Sequence, residues 1–492
     1  MKAYKITLMI FSVIGLLALL CAFMPDDGIR VNEDLTLRFP SLNEVLDPNH
    51  DDAEEQLVTI EPEETPEQMM ERRMRELREA KQNEYEDYFA HNPARIEFPN
   101  NDPSLFDNFF EALEGAHDKP MRITHYGDSQ IEIDRITNIL REGLQQRFGG
   151  IGVGLVPVVQ TVQTVTLAQT CSAMPTRYLA YNNAMKNKAS GYGPMAMQTI
   201  INSPVTCTFT ARGGGQNTLA KKFSTVKVLV TNVRGTLSAS IGDVTKSVED
   251  TAAVQPMRVM TFKFDAPRRT VTISFKGHGA VLGIMLDGKN GVQVDNVPMR
   301  GCAGTIFTDI KAQYLADFYD DNNVKLIILQ YGGNTMPYLK TDKQITNYAN
   351  RVAAQIRYLK RMAPRAQVLF IGPSDMTTKV DGVYRTYPHL PAVVSALRQA
   401  AHDNGAAFWD MYSVMGGYNS MILWAKTGLA GSDYVHFTPK GANKIGDMLF
   451  NTIMLYYDFY RFRNHSEDMM PEQPADSLEV SEETIAENII NN

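Results

Sequence analysis

The chain has 492 residues, 44% of them hydrophobic, so it can bury a sizeable core spread over two or three domains. Its net charge of -8, with no long block of lysine and arginine, argues against a general nucleic-acid binder, and we expect no nucleic-acid partner. The sequence contains no CxxC motif and no histidine cluster with metal-ligand spacing, so it predicts neither a metal nor a cofactor.

The amino-terminal segment is apolar over a length that can cross a bilayer. Two lysines lie within the first five residues, residues 6–24 carry no charge, and Asp26 and Asp27 follow. This charge asymmetry places the amino end in the cytoplasm and the bulk of the chain in the periplasm. No small-x-small cleavage site follows, so we interpret residues 1–24 as an uncleaved inner-membrane anchor, with a cleaved signal peptide as the alternative.

Residues 25–91 predict a tether followed by a charged helix. The first part, to about residue 66, is acidic, poor in aromatic residues and without steady periodicity. Residues 67–89 are charge-rich, with apolar side chains at near-helical spacing, which predicts a solvated helix or a short coiled coil. The acidic residues 464–492 carry no strong pattern, and we expect them to form a disordered tail.

The most informative stretch is residues 121–148, where strand-like alternation ends at Gly127-Asp128-Ser129 and helical periodicity begins. Ligands bind at the carboxyl ends of the strands in open α/β sheets, so a hydroxyl at this junction is expected to face substrate. We therefore interpret Ser129 as a candidate nucleophile. The alternative interpretation of these three residues alone is an ordinary polar turn.

Two distant stretches favour the functional interpretation. Residues 324–334 form a nearly continuous apolar run, typical of a strand buried on both faces, and the run ends in a Gly-Gly-Asn turn at Asn334. Near the carboxyl end, Asp433 lies three residues before His436, just ahead of a predicted helix. Thr438 is suited to cap that helix.

These motifs resemble the SGNH (GDSL) hydrolase superfamily. Its blocks Gly-Asp-Ser, Gly-x-Asn and Asp-x-x-His correspond to residues 127–129, 332–334 and 433–436, in the family's chain order. The family has a further glycine between the first two of these blocks, for which we choose Gly301, with Gly304 as a competitor. The resemblance covers a little under half of the chain. It implies an α/β fold with a three-layer α/β/α parallel sheet.

The resemblance also implies acyl-ester chemistry at a triad. Ser129 is a poor nucleophile until a base removes its proton, and His436, with an ordinary pKa near 6.5, suits that role at neutral pH. Asp433 would hold the imidazole tautomer and stabilise its cationic form. The implied oxyanion donors are the backbone N–H groups of Ser129 and Gly301 and the side-chain amide of Asn334.

Other polar residues near these motifs receive supporting or structural roles. We expect Asp128 to anchor the nucleophile turn through backbone hydrogen bonds, as a supportive residue. His125, in the preceding strand, is predicted to be a satisfied structural histidine. Asp375 follows another apolar strand, at residues 367–371, and either lines the pocket or caps a loop.

Residues 151–290 are far more than a single βαβ crossover requires, which predicts an inserted domain. Its β-prone runs are separated by Gly, Asp, Asn and Pro, which predicts a β-sandwich or jelly roll. These runs lie at residues 227–231, 236–241, 257–264 and 270–275. Three tyrosines of the insertion are suited either to stacking on sugar rings or to ordinary packing: Tyr178, Tyr181 and Tyr192. Cys171 and Cys207 are the pair that an oxidising periplasm would allow to bond.

The sequence thus predicts an SGNH-type catalytic domain in two parts, residues 92–150 and 291–463, interrupted by a β-rich insertion. The expected reaction is hydrolysis of an O-acylated envelope or capsular polysaccharide through an acyl-enzyme. One alternative is a polysaccharide O-acetyltransferase working with a membrane-bound O-acyltransferase. A non-catalytic glycan-binding protein is the other, although the presence of every recognisable block argues against it.

Overall fold

The computed structural model describes residues 3–25, 28–30, 36–37, 40–41, 45–46, 65–189, 191–213, 218–250 and 256–464. Most of the predicted tether and the tail beyond residue 464 lie outside the described residues. The chain divides into two compact units, Met1–Ala80 and Lys81–Asn492.

The strands, in chain order, are β1 (Ile29–Arg30), β2 (Thr36–Leu37), β3 (Ile96–Glu97), β4 (Met121–Gly127), β5 (Gly152–Val156), β6 (Leu167–Cys171), β7 (Arg177–Leu179), β8 (Met197–Ile201), β9 (Val205–Ala211), β10 (Phe223–Thr231), β11 (Thr236–Ile241), β12 (Val244–Glu249), β13 (Arg258–Arg268), β14 (Thr270–Gly277), β15 (Gly279–Asp287), β16 (Val292–Pro298), β17 (Val324–Gln330), β18 (Gln367–Ile371), β19 (Thr377–Val380), β20 (Val383–Thr386) and β21 (Ala407–Trp409). The helices are α1 (Ala3–Phe23), α2 (Pro66–His91), α3 (Asp107–Glu114), α4 (Thr137–Phe148), α5 (Ala312–Asp321), α6 (Asp342–Met362), α7 (Leu390–His402), α8 (Met411–Val414), α9 (Ser420–Lys426) and α10 (Pro439–Asn464).

In the first unit, α1 is the predicted apolar segment. Its residues Tyr4–Phe23 form a helix that is long and apolar enough to cross a membrane, a property that amino-terminal signal sequences share. The helix predicted at residues 67–89 is present as α2, and its side chains are mostly exposed. A charged sequence with few apolar side chains leaves such a helix solvated.

The six-stranded sheet of the second unit that contains β4 has the order β16-β4-β17-β18-β21-β3. The first five strands are parallel, and β3 runs antiparallel along β21. The chain places β16 on one side of β4 and β17 on the other, so the strand order reverses at β4. Crevices form at the carboxyl ends of strands at such a switch point, and Ser129 follows β4 there.

Helices cover both faces of this sheet. On one face, Leu140 and Leu144 of α4 lie in a hydrophobic cluster with Ile123 of β4, and α3 and α10 contribute to the same cluster. On the other face, Tyr126 of β4 packs in a cluster with Leu315 of α5 and with side chains of α6 and α7. The prediction of a three-layer α/β/α fold is confirmed.

The β-rich region between β4 and β16 forms two antiparallel sheets. One has the order β13-β10-β15-β8-β7 with β5 paired to β15, and the other has the order β12-β11-β14-β9-β6. Side chains of both sheets, including Phe209, Val228 and Ile273, share one buried cluster, which makes the region a β-sandwich. Cys171 and Cys207 form a disulfide that joins β6 to β9.

The β-sandwich also shares a core with the α/β layers. Leu282 and Met285 of β15 lie in the same hydrophobic cluster as Tyr126. Tyr192 is 4% exposed in this cluster, and Tyr178 and Tyr181 pack against it, half-buried. The structure therefore favours packing over sugar stacking for the three tyrosines of the insertion.

A buried ionic network reinforces this contact. Arg122 of β4 pairs with both Asp287 of β15 and Asp295 of β16, and all three side chains are at most 5% exposed. Asp295 Oδ1 also accepts the backbone N–H of Leu155 in β5 at 2.8 Å. The strand that leads to Ser129 is thus bonded directly to the insertion.

Candidate active site

Ser129 lies at the carboxyl end of β4, on the turn that leads into α4. A 3-10 helix, Ser129–Asp134, forms most of this connection. Asp128 Oδ1 accepts the backbone N–H of Gln130 at 2.9 Å, which is the kind of turn-anchoring bond predicted for Asp128. The Ser129 Oγ lies 2.8 Å from Nε2 of His436.

The loop before α10 brings Asp433 and His436 to the same edge of the sheet. Asp433 Oδ2 lies 2.8 Å from Nδ1 of His436, and its Oδ1 accepts the backbone N–H groups of Val435 and His436, each at 3.0 Å. Burial opposes ionisation of this carboxyl, but the hydrogen bonds from His436 and Val435 outweigh burial and hold the pKa of Asp433 below its ordinary value. Asp433 is therefore an anion at neutral pH.

Local structure fixes this loop. The backbone N–H of Gly431 donates to the His436 carbonyl at 2.8 Å, which closes the loop into a short turn. Thr438 Oγ1 accepts the N–H of Gly441 at 3.3 Å, and α10 begins at Pro439, so the predicted helix cap is confirmed.

The two 2.8 Å contacts of His436 indicate which nitrogen of its imidazole carries the proton. With Nδ1–H donated to the Asp433 carboxylate, Nε2 is left with a lone pair that can accept the hydroxyl proton of Ser129. The structure thus brings Ser129, His436 and Asp433 into one hydrogen-bonded series, from residues 307 positions apart in the chain.

Asn334 lies in the 3-10 helix Gly333–Tyr338 that follows β17. Its Nδ2 donates to Asp128 Oδ2 at 2.9 Å and to the Cys302 carbonyl at 3.2 Å. Both amide protons therefore have protein partners. An oxyanion role for Asn334 requires one of these bonds to be exchanged, and the longer bond to Cys302 is the one we expect to open.

The two candidate glycines, Gly301 and Gly304, differ in the reason why a side chain is disfavoured at each position. Gly301 has a φ of +77°, and a Cβ added there would meet nothing within 4 Å, so backbone conformation is its constraint. Within the described part of the chain, no protein group accepts its N–H. A Cβ on Gly304 would lie 2.6 Å from the Tyr331 ring, so Gly304 is needed for close packing. This difference favours Gly301 as the residue with a free donor.

The carboxyl group of Asp128 has a raised pKa. Its side chain is 4% exposed, and burial raises its pKa to about 6, against the opposing effect of the Gln130 N–H, the nearby His436 and the Asn334 amide. The carboxylate therefore sits in a poorly solvated position, and it orients Asn334 through the 2.9 Å bond described above.

A cavity of about 430 Å³ opens at the carboxyl ends of β4, β17 and β18. The predicted site residues Ser129, Gly301, Asn334 and His436 line it, and so does Asp128. Asp433 lies behind His436 and supports the imidazole. The arrangement offers a nucleophile, a base and amide donors around one space that an ester can enter.

The structure adds residues that motif analysis did not select. Gln130 Nε2 donates to the Val435 carbonyl at 2.6 Å, and Arg135 Nη1 donates to the Phe437 carbonyl at 2.9 Å, so both hold the histidine loop against the nucleophile turn. Arg300 pairs with Glu132 at 2.6 Å at the cavity. The signal available in the sequence was adjacency alone, since Gln130 follows the nucleophile and Arg300 precedes Gly301.

Two other candidates have structural positions. His125 is fully buried between Thr137 Oγ1 at 2.9 Å and Gln330 Oε1 at 3.1 Å, and burial lowers its pKa to about 3. Asp375 accepts from Thr386 Oγ1 at 2.7 Å and from the N–H of Met421 in α9 at 2.8 Å. Of its two interpretations, the loop cap fits these contacts, and the cavity lining does not include Asp375.

Part of the chain that forms this site matches a known protein family. Residues 269–444 match the family model of the GDSL-like Lipase/Acylhydrolase family. The chain therefore contains a GDSL-like hydrolase domain. The matched residues include Gly301, Asn334, Asp433 and His436, whereas Ser129 precedes them. The prediction of an SGNH-type enzyme is confirmed.

One solved structure shares the fold of this chain. A peptidoglycan O-acetylesterase superposes with a TM-score of 0.61 at 21% identity, over 73% of this chain and 97% of that one, which shows a shared fold. Two others superpose too weakly to support an argument. A family two carbohydrate esterase from Cellvibrio japonicus has a TM-score of 0.23 at 12% identity, over 60% of this chain and 99% of that one. The periplasmic domain of a lipopolysaccharide acetyltransferase from Salmonella ser. Paratyphi A has a TM-score of 0.24 at 12% identity, over 33% and 72%. No curated protein matches the chain.

Proposed function

We propose that the chain is a serine-dependent esterase that removes acyl groups, chiefly acetyl, from an O-acylated polysaccharide of the cell envelope or capsule. The observation that carries this proposal is the hydrogen-bonded series from Asp433 through His436 to Ser129, which opens on the cavity. The fold shared with a peptidoglycan O-acetylesterase supports a glycan ester as the substrate class.

In the first half of the proposed reaction, Ser129 Oγ attacks the carbonyl carbon of the ester while its proton passes to Nε2 of His436. The carbonyl oxygen becomes an oxyanion beside the N–H groups of Ser129 and Gly301 and the Asn334 amide. Each such donor is worth about 3 kcal/mol of barrier. Asp433 stabilises the imidazolium that forms.

In the second half, the imidazolium returns its proton to the departing sugar oxygen as the carbon–oxygen bond breaks, which leaves an acyl group on Ser129. Water then attacks the acyl carbon, with His436 accepting the proton of the water and returning it to Ser129 Oγ. The products are the free carboxylic acid and the deacylated glycan.

The test is hydrolysis of an aryl acetate by the full-length protein. Ser129→Ala and His436→Ala should each lower kcat by about a thousandfold or more, because either change disables the same nucleophile. Ser240→Ala, on β11, and His389→Ala, outside the cavity lining, are the matched controls and should keep wild-type activity. Full activity in either triad variant, with the fold intact by circular dichroism, would sink the assignment.

A second candidate, a polysaccharide O-acetyltransferase, is favoured by the apolar helix Tyr4–Phe23. An enzyme fixed at the inner membrane with its bulk in the periplasm would lie beside a membrane-bound O-acyltransferase that supplies acyl groups. A transferase shares the acyl-enzyme and differs only in using a sugar hydroxyl in place of water. Supplying an activated acetyl donor and a glycan acceptor separates the two, since acetylated glycan above a Ser129→Ala control would favour transfer.

The remaining alternative, a non-catalytic glycan-binding protein, conflicts with the geometry. A binding site does not need an imidazole that lies 2.8 Å from both a hydroxyl and a carboxylate. Release of acetate by the wild-type protein but not by Ser129→Ala would exclude this alternative.

A further inference from the structure

Two long side chains on the lining of the active-site cavity are largely exposed. The Arg300 side chain is 68% exposed, although it lies next to Gly301. Tyr338, at the end of the 3-10 helix that carries Asn334, is 74% exposed. Neither side chain packs into the hydrophobic core, because side chains of the core are buried.

Arg300 is anchored on one side only. Its Nη2 lies 2.6 Å from Oε2 of Glu132, whose side chain is 6% exposed, three residues after Ser129. The buried carboxylate occupies one hydrogen-bonding position of the guanidinium. A guanidinium carries five N–H donors, so the remaining donors are available at the mouth of the cavity.

Arg300 is also the cation of this cavity. Among the described residues that line it, no other lysine or arginine occurs. The nearby Arg135 donates hydrogen bonds to the backbone carbonyls of Glu132, Phe437 and Ser129, at 3.0, 2.9 and 3.4 Å. Arg300 is therefore the guanidinium at this edge that keeps donors open to the cavity.

We propose that Arg300 and Tyr338 form a substrate-selecting mouth for an acidic O-acylated glycan, in which Arg300 pairs with a carboxylate on or next to the acylated sugar. This inference rests on the proposed esterase function and names its substrate class. The planar fork of arginine matches a carboxylate with two parallel hydrogen bonds, which gives orientation as well as attraction. A uronic acid or a carboxyalkyl ether on the sugar would supply this group.

Tyr338 supplies the apolar complement. A pyranose ring presents a face of C–H groups that packs on an aromatic ring, while the phenol hydroxyl stays in water. With Arg300 and Tyr338 both on the cavity lining, one sugar can rest on the ring while its carboxylate reaches the guanidinium. The O-acyl group then extends toward Ser129.

The experiment compares polymers that differ only in charge. O-acetylated carboxymethyl chitin is matched with O-acetylated chitin, and an O-acetylated polyuronate is matched with its carboxyl-reduced, re-acetylated form. Acetate release by the full-length protein should favour the acidic member of at least one pair by about three- to tenfold in kcat/KM. Raising the salt from about 0.05 M to about 0.5 M should shrink this preference, because Arg300 is exposed to screening ions.

The variants assign the preference to its residues. Arg300→Gln should remove the preference for the acidic polymer, so that kcat/KM becomes equal on the two members of each pair, because glutamine has neither the charge nor the fork of arginine. Arg300→Lys should keep part of the preference as a point charge without the fork. Tyr338→Ala should raise KM about tenfold on the acidic and neutral polymers alike, and Tyr338→Phe should retain the wild-type KM, since the ring remains.

A structural role for Arg300, neutralising Glu132, predicts a different pattern. In that case the double variant Glu132→Gln/Arg300→Gln would restore the wild-type preference, whereas the proposal requires the preference to stay lost. A wild-type protein that hydrolyses aryl acetate but prefers neither acidic polymer would overturn the proposal and leave the esterase function standing. Absence of aryl acetate hydrolysis would instead overturn the esterase function itself.

Discussion

Replacement of Asp128 by asparagine should change stability in opposite directions at low and high pH. Burial raises the pKa of Asp128 from 3.8 to about 6, so the folded state binds a proton more tightly than the unfolded state. Wild-type stability therefore falls as pH rises between these values, and the loss is complete above about pH 7. A pKa displaced this far corresponds to about 3 kcal/mol, and asparagine removes that cost because it never ionises.

The substitution also has a cost that does not depend on pH. The Asp128 carboxylate accepts two bonds, from the Gln130 N–H and from the Asn334 amide, each at 2.9 Å. An asparagine offers one acceptor oxygen, so one bond is lost at about 1 kcal/mol. We expect Asp128→Asn to be more stable than wild type by about 2 kcal/mol near pH 8 and less stable by about 1 kcal/mol near pH 4.

Urea denaturation followed by tryptophan fluorescence measures this, since the two tryptophans, Trp409 and Trp424, are both buried. Turnover of aryl acetate should fall toward the roughly hundredfold loss of one oxyanion donor, because Asn334 loses the group that orients it. Asp375→Asn is the matched control, since burial also raises the pKa of Asp375 but its contacts lie away from Asn334. A variant less stable than wild type at both pH values, or one with full turnover, would refute the reasoning.

Other residues yield shorter predictions. Asn334→Ala should lower kcat on aryl acetate roughly a hundredfold with little change in KM, because the amide acts on charge that appears in the transition state. An unchanged kcat in steady-state assays would show that Asn334 has only a structural role in the turn. Asp433→Asn should lower kcat no more than loss of the histidine does, since it disturbs the tautomer but leaves the base in place, and a pH–rate profile checks this. Arg122→Met should lower the free energy of unfolding by about 3–5 kcal/mol, because Asp287 and Asp295 would stay buried without their cation; a loss below about 1 kcal/mol on urea denaturation would contradict this.

The parts of the site that follow from local sequence were predictable. Strand alternation that ends at Ser129, and a histidine three residues after Asp433 ahead of a capped helix, are patterns that neighbours in the chain impose. The resemblance to the SGNH superfamily that these blocks carry then implied the parallel sheet. Local patterns predicted the strand, the turn and the helix cap, and the family resemblance supplied the fold class and the roles of the candidate residues.

Contacts between residues far apart in the chain were beyond such patterns. Asp375 follows a strand in the same manner as a pocket residue would, and only its bonds to Thr386 and Met421 reveal a cap. The pairing of Arg300 with Glu132 joins two elements on either side of the insertion. Tyrosines in a loop look alike whether they face a sugar or a core, and the side chains that bury Tyr192 come from other parts of the chain.

The insertion illustrates how a long-range contact changes a functional argument. If the β-sandwich were an independent module, its removal would leave the catalytic layers intact. Instead Arg122, in the strand that ends two residues before Ser129, is neutralised by Asp287 from the insertion, and Leu282 packs with Tyr126 of the same strand. Removing the insertion would deprive Arg122 of Asp287 and expose the hydrophobic face of Tyr126 to water, and both changes would destabilise the strand that positions the nucleophile. The insertion therefore stabilises the sheet that contains β4, whatever contacts it makes with a glycan.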